Sequence, residues 1–262
     1  MKQERLRVAG VQAPLVWQDP EANFAYFERA LARIGEADLV LLPEMFSTGF
    51  TMTPAEVGPE VGETSLAFLL RMARQYEACF GGSCVFHMGE GRYVNRFFIA
   101  YPDGKAAHYD KRHRFAMAGE HEAYSPGDEQ PVMVEVRGWR VLLQVCYDLR
   151  FPVFSRNQTD EPYDIIAYVA NWPAPRRSHW RTLLQARAIE NQSYVVGVNR
   201  VGQDDNALAY VGDSLIVGPA GEVLADARDA ESVIAGELHA GRVAHLREKL
   251  PFLRDADAFR LV

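Results

Sequence analysis

Cys146 follows Arg140-Val141-Leu142-Leu143-Gln144-Val145, a mostly apolar β-rich run, and opens the polar stretch Tyr147-Asp148-Leu149-Arg150. A cysteine on a strand-to-helix turn has backbone N–H groups behind it, which suits a nucleophile with an oxyanion site. The competing reading, a cysteine acting as a small buried hydrophobe, fits Cys79 and Cys84 inside their β-rich segments better than it fits Cys146. Glu44 follows another apolar run, residues 38–42, and Pro43. Its carboxylate therefore stands where the chain leaves a sheet, the place where α/β proteins build sites; a solvated loop acid is the alternative. Lys111 lies in His108-Tyr109-Asp110-Lys111-Arg112-His113, which on its own reads as a solvated charge run. Metal ligation by His108, Asp110 and His113 is a further option, although their spacing matches no standard ligand pattern. A cysteine–histidine hydrolase is another, since the chain holds 7 His, but no papain-like or caspase-like signature surrounds Cys146.

Positioning such residues takes a frame, and the chain alternates strand and helix signals. Asp19-Pro20-Glu21 reads as an N-cap, a proline at the first helical position and an acidic first turn. Phe24, Phe27, Leu31 and Ile34 continue at helical spacing up to Gly35. Residues 65–76 and 178–190 are amphipathic, the second with Trp180, Leu183, Leu184 and Ala188 inward. Strands are expected at 6–11, 38–42, 79–86, 94–101, 106–109, 132–136, 140–145, 164–169, 194–198, 214–217 and 222–224. Residues 111–130 show no period and exceed most loops in length, which marks a functional loop. About a dozen strands overfill one open sheet, so two packed mixed sheets flanked by helices are expected.

Composition narrows the function classes. With 48% hydrophobic and 24% charged residues in 262, the chain is an ordinary globular sequence and reads as a single domain over 1–262. The net charge of -7 argues against non-specific binding to nucleic acid or acidic lipid, while leaving room for a local basic pocket. No run approaches the ~20 apolar residues of a membrane span, and the N-terminus lacks the apolar core of a signal peptide. Three cysteines without a CxxC pair make disulfide stapling and a structural zinc site poor readings. A cytoplasmic protein is the expectation.

Taken in order, Leu41-Leu42-Pro43-Glu44, Asp110-Lys111-Arg112-His113 and Gln144-Val145-Cys146-Tyr147-Asp148-Leu149-Arg150-Phe151-Pro152 resemble the nitrilase (carbon–nitrogen hydrolase) superfamily. The likeness runs from Val8-Ala9-Gly10-Val11-Gln12 to Gly218-Pro219-Ala220-Gly221. Asn171-Trp172-Pro173-Ala174-Pro175-Arg176 and Met117-Ala118-Gly119-Glu120-His121 look most like the bacterial omega-amidase branch. Arg114 departs from the pattern, since many relatives carry leucine there, and this bears on loop packing. The resemblance implies an αββα sandwich and a Glu44-Lys111-Cys146 triad, with Glu120 as a second active-site glutamate and Glu122 as its rival. It implies an amidase that cleaves the terminal amide of a small 2-oxo dicarboxylic acid monoamide through a cysteine thioester. Other amidases of the superfamily, acting on N-carbamoyl compounds or deaminated glutathione, are the alternative, as is a silent binding protein on the same fold. It further implies no metal or organic cofactor, and a homodimer or higher homo-oligomer pairing through residues 178–190 and the C-terminal region. An omega-amidase needs a cation for the substrate's carboxylate, and Arg176 is the candidate, with Phe46, Tyr147 and Trp172 walling the pocket; Arg176 and Arg177 read otherwise as surface charges.

Overall fold

The run Ile165–Ala170 is buried along its whole length, and an unbroken apolar strand of this kind needs cover on both faces of its sheet. The computed structural model, which describes residues 2–128, 130–158 and 160–261, supplies that cover. Fourteen strands are described. The first seven are β1 (Arg5–Gln12), β2 (Leu39–Leu41), β3 (Cys79–His87), β4 (Tyr93–Ala100), β5 (Ala106–Asp110), β6 (Met133–Val136) and β7 (Trp139–Val145). The others are β8 (Ile165–Ala170), β9 (Tyr194–Asn199), β10 (Val201–Gln203), β11 (Ala209–Val211), β12 (Leu215–Val217), β13 (Val223–Asp226) and β14 (Ser232–His239). The α-helices are α1 (Pro20–Leu31), α2 (Val61–Tyr76), α3 (Glu120–Ala123), α4 (Arg177–Asn191) and α5 (Ala240–Lys249).

One six-stranded sheet runs β14-β1-β2-β3-β4-β5, the other β13-β12-β9-β8-β7-β6, and β10 and β11 form a separate hairpin. Parallel pairs sit at the middle of each sheet (β1–β2–β3 and β7–β8–β9) and antiparallel pairs at the edges. Between the sheets, Leu6, Val8, Leu39 and Leu41 share one core with Val196 and Val198. The approach is close: a Cβ on Gly10 would stand 2.5 Å from a Val198 methyl. On the outer face of the first sheet, Phe27 and Leu31 of α1 and Phe68, Leu69 and Met72 of α2 pack on Val40, Leu42 and Phe80. On the outer face of the second, Trp180, Leu184 and Ala188 of α4 do the same. The layers are therefore α, β, β, α, as expected. The Asp19 side chain accepts the Ala22 N–H and Pro20 opens α1, as its sequence indicates.

Three features depart from the sequence reading. Nothing was expected beyond 222–224, yet β14 pairs with all eight residues of β1, and α5 follows it. Alternation in β14 is broken by Gly236, which presents no side chain at a position its neighbours Ile234 and Leu238 fill with apolar ones. The β10–β11 hairpin was also unforeseen. The long loop after β5 is partly ordered into a 3-10 turn, Ala116–Ala118, and the single-turn helix α3.

Gln12, wholly buried at the end of β1, ties the sheets together. Its Nε2 donates to the carbonyls of Arg228 (2.9 Å) and Ala230 (2.7 Å), and its Oε1 accepts the Ser214 N–H (2.9 Å). Gln12→Leu strands three backbone groups, so it should cost about 2–4 kcal/mol. Urea titration measures this, and an unchanged midpoint would show that the amide is dispensable.

Candidate active site

The chain leaves β2 at Leu41 but stays bound to β3: Leu42 donates its N–H to Gly81 O (2.7 Å) and Met45 to Ser83 Oγ (3.0 Å). Glu44 is held between these anchors with no solvent exposure. Lys111, the first residue after β5, is fixed at both backbone ends. Its N–H donates to Asn95 O (2.9 Å) and its carbonyl accepts from Gly127 (3.0 Å). Gly127 has to be glycine, because a Cβ there would lie 1.8 Å from Asp110 O. Glu120 opens α3, and its carboxylate accepts the Phe115 N–H.

These side chains meet in one buried cluster. Lys111 Nζ donates to Glu44 Oε1 (2.8 Å) and to Glu120 Oε1 and Oε2 (both 2.9 Å). Asn95 Nδ2 donates to Glu44 Oε1 (2.8 Å) and Glu120 Oε1 (3.3 Å). Asn171, the first residue after β8, donates its backbone N–H to Glu44 Oε2 (2.8 Å) and its Nδ2 to Glu44 O (2.6 Å). Burial opposes the charge on Lys111, but the Glu120 and Glu44 carboxylates outweigh it and raise the ammonium's pKa. Glu120 is raised by burial and by Glu44, against the pull of Lys111. Glu122 stands apart, exposed beside His121.

Cys146 follows β7 directly. It takes the left-handed conformation (φ 44°) and begins the 3-10 turn Cys146–Arg150, a backbone that costs a non-glycine residue of order 1–3 kcal/mol. Asp148 braces it: its buried carboxylate accepts from Val145 N (2.9 Å), Tyr109 OH (2.8 Å) and His113 N (3.1 Å), and meets His113 Nδ1 at 2.8 Å. Burial pushes the Cys146 thiol well above its ordinary value, and neighbouring Glu44 adds to the rise against Lys111. Cys79 and Cys84 lie in β3, where burial pushes their thiols up to about 11 and about 12.

Cys146 opens onto a cavity of about 540 Å³, with Tyr147, Trp172, Arg150, Arg176, Phe50, Phe115 and Tyr210 on its walls. The Arg176 guanidinium lies 5.2 Å from the Phe115 ring centre, and that of Arg150 lies 4.7 Å from Trp172. Arg177 turns away to Asp213 (2.9 Å). Phe46 corrects the sequence reading. It does not reach the cavity; it packs with Phe24, Phe27 and Phe68 on the helix side. Met45, at φ 44°, turns the chain after Glu44 and sends the next side chain away from the site. Phe50 takes the place assigned to Phe46. The metal alternative fares no better, since its residues do not converge: Asp110 holds Arg96 (2.6 Å), His113 holds Asp148 and His108 is exposed. Among the described residues no group of three His, Cys, Asp or Glu side chains could hold a metal, and no helix is long and apolar enough to cross a membrane. Arg114 donates to the carbonyls of His121 (3.2 Å) and Tyr124 (3.0 Å), so it packs the loop around α3.

Sequence reasoning missed Asn95, Asp148 and Arg150, and did not single out Asn171. For Asn171 the signal was there, a polar residue directly after an apolar strand, as with Glu44 and Cys146. Asn95 gave only a weaker one, an amide inside the apolar run of β4.

Comparison with known proteins places these features. The carbon–nitrogen hydrolase family profile matches residues 7–248. An omega-amidase of Yersinia enterocolitica (YafV) is 49% identical over 259 residues, covering 98% of this chain and 99% of the relative. A 2-oxoglutaramate amidase of Bacillus subtilis is 33% identical over 222 residues, 84% of this chain and 85% of the relative. A CN-hydrolase superfamily protein from Xanthomonas campestris, solved with an arsenic adduct in its active site, superposes with a TM-score of 0.95 at 39% identity, covering 99% of this chain and 100% of that one.

Iodoacetamide should label Cys146 ahead of Cys79 and Cys84, because it alone of the three lines the cavity. The rate should climb with pH, since its thiol is held above the ordinary value. Peptide mass spectrometry checks the order, and preferential labelling of Cys79 would place the reactive sulfur elsewhere. Lys111→Met removes the cation between two buried carboxylates, which should cost about 3–5 kcal/mol at pH 8. Glu120, already raised, then rises further. A carboxyl raised in the folded state loses stability as pH climbs, so the deficit should shrink toward pH 5. A deficit independent of pH would show that the carboxylates do not repel each other there.

Proposed function

Because the chain belongs to the carbon–nitrogen hydrolase family, we propose that it hydrolyses the terminal amide of small 2-oxo dicarboxylic acid monoamides, of the 2-oxoglutaramate type, to the acid and ammonia. The observation that carries the reading is the buried Glu44-Lys111-Glu120 cluster standing behind the cysteine on the cavity wall. In this reaction Glu44 takes the Cys146 proton as sulfur attacks the amide carbon. Lys111 Nζ and the Tyr147 N–H, in the first turn where helical N–H groups lack internal partners, hold the developing oxyanion. Glu44 returns the proton to nitrogen, the C–N bond breaks and ammonia leaves a thioester on Cys146. Glu44 then activates water, which releases the acid. Glu120 keeps Lys111 charged and aimed.

Two observations support the substrate class. The relatives named above are an omega-amidase and a 2-oxoglutaramate amidase, and the cavity presents Arg176 and Arg150 to its contents. A guanidinium grips a carboxylate through two parallel hydrogen bonds. Phe50, Tyr147 and Trp172 cover the carbons between that carboxylate and the amide.

The test is ammonia release across a panel of amides with and without a distal carboxylate, N-carbamoyl compounds and deaminated glutathione included. Cys146→Ala should abolish release from every one. Arg176→Ala should lower kcat/KM on carboxylate-bearing amides by about 10–100-fold and leave a neutral short amide nearly unchanged. Equal losses on both would assign Arg176 to loop shape and remove the support it gives this substrate class.

A further inference from the structure

Glu44 and Glu120 are two carboxylates brought to one ammonium, and Asn95 is the uncharged side chain that touches both. It sits on β4 and is 1% exposed, opposite Val85 of β3 in the antiparallel register. A side-chain amide nitrogen carries two hydrogens. One reaches Glu44 Oε1 at 2.8 Å and the other Glu120 Oε1 at 3.3 Å, so the donor capacity of the amide goes to the two acids. Its Oδ1 finds no partner among the described residues, so contact with the acids is the bonding this side chain supplies there.

We propose that Asn95 is a positioning residue for amide hydrolysis, cross-linking Glu44 to Glu120 so that Glu44 stays aimed at the Cys146 thiol. The inference rests on Glu44 being the base in the reaction above. The charged and titratable groups around it come from five places. They are Glu44 after β2, Lys111 after β5, Glu120 in α3, Tyr124 just beyond α3 and Cys146 after β7. One ammonium against two carboxylates leaves a single negative charge with water excluded, and repulsion invites a proton onto the acids. Hydrogen bonds to a carboxylate favour its charged form. Lys111 gives Glu44 one such bond, the Asn171 N–H gives the opposite oxygen another, and Asn95 gives the third. Without Asn95, Oε1 keeps only the lysine that it shares with Glu120, and the acids take up a proton at higher pH.

The test compares the wild type with Asn95→Leu, which has similar volume and no donor, and Asn95→Ser, which can donate one hydrogen bond. Two pH profiles are measured: kcat/KM for ammonia release, and the rate of Cys146 alkylation by iodoacetamide, which needs no substrate. Both fall on the acid side when the cross-linked acid cluster, in which Glu120 is already raised, gains a proton. In Asn95→Leu that limb should move up by about one pH unit in both profiles, with less movement in Asn95→Ser. Below the limb kcat should fall about tenfold and on its alkaline side little, while KM changes little, because Asn95 does not line the cavity. A limb that stays in place in whichever variants fold, or a kcat reduced by the same factor at every pH, would overturn the proposal and leave Asn95 a packing residue. Should the wild type release no ammonia from any amide, the proposed function fails, and the alkylation profile alone decides the role of Asn95.

Discussion

The ammonium of Lys111 between the carboxylates of Glu44 and Glu120 is the interaction on which the rest of this structure depends. Taking three charges out of water costs several kcal/mol for each ion, and mutual attraction offsets that only when the remaining lone pairs are also satisfied. Here they are, by the amide of Asn95 and by the backbone N–H groups of Asn171 and Phe115. The donors come from β4, from the end of β8 and from the loop after β5. A cluster of this kind forms only when both sheets and the long loop are in place, which couples the chemistry to the assembly of the whole sandwich.

Cys146 is held by a second polar network on the same edge. Asp148 gathers Val145, Tyr109 and His113 around its carboxylate, and Arg187 Nη2 donates to Leu149 O at 2.6 Å from helix α4. These contacts stabilise the left-handed backbone at Cys146. The thiol is thereby fixed beside Glu44 while its face opens to the cavity. Burial, with the negative charge of neighbouring Glu44 added to it, holds the resting thiol above its ordinary value against Lys111, so a neighbouring carboxylate, and not a free thiolate, is what this geometry provides.

The cavity divides the labour differently. Its Cys146 end is backed by wholly buried ions, whereas Arg150 and Arg176 sit on aromatic faces at its wall. A cation on an aromatic ring keeps its hydrogen-bond donors free for a ligand, so the same apolar rings that exclude water also orient the guanidinium groups.

The sequence by itself determined where polar residues leave apolar strands. Glu44, Cys146 and Asn171 each follow a largely apolar strand, because a parallel strand covered on both faces must be mostly apolar and a polar or reactive residue just past its end marks the sheet edge. The α1 cap, the inward face of α4 and the need for two sheets were legible for equally local reasons. Lys111 and Glu120 lie in a stretch with no period, and only their family motifs marked them. Tertiary structure decided the rest. Phe46 leaves the site because Met45 adopts a positive φ, stabilised by bonds from the 45–46 backbone to Ser83 on a neighbouring strand. β14 is a strand because β1 offers it eight partners from the far end of the chain. Asn95 meets Glu44 across 51 positions of sequence, and nothing near either residue encodes that meeting: local patterning fixes which face a side chain takes, while the order of strands within the sheet decides which of those faces come together.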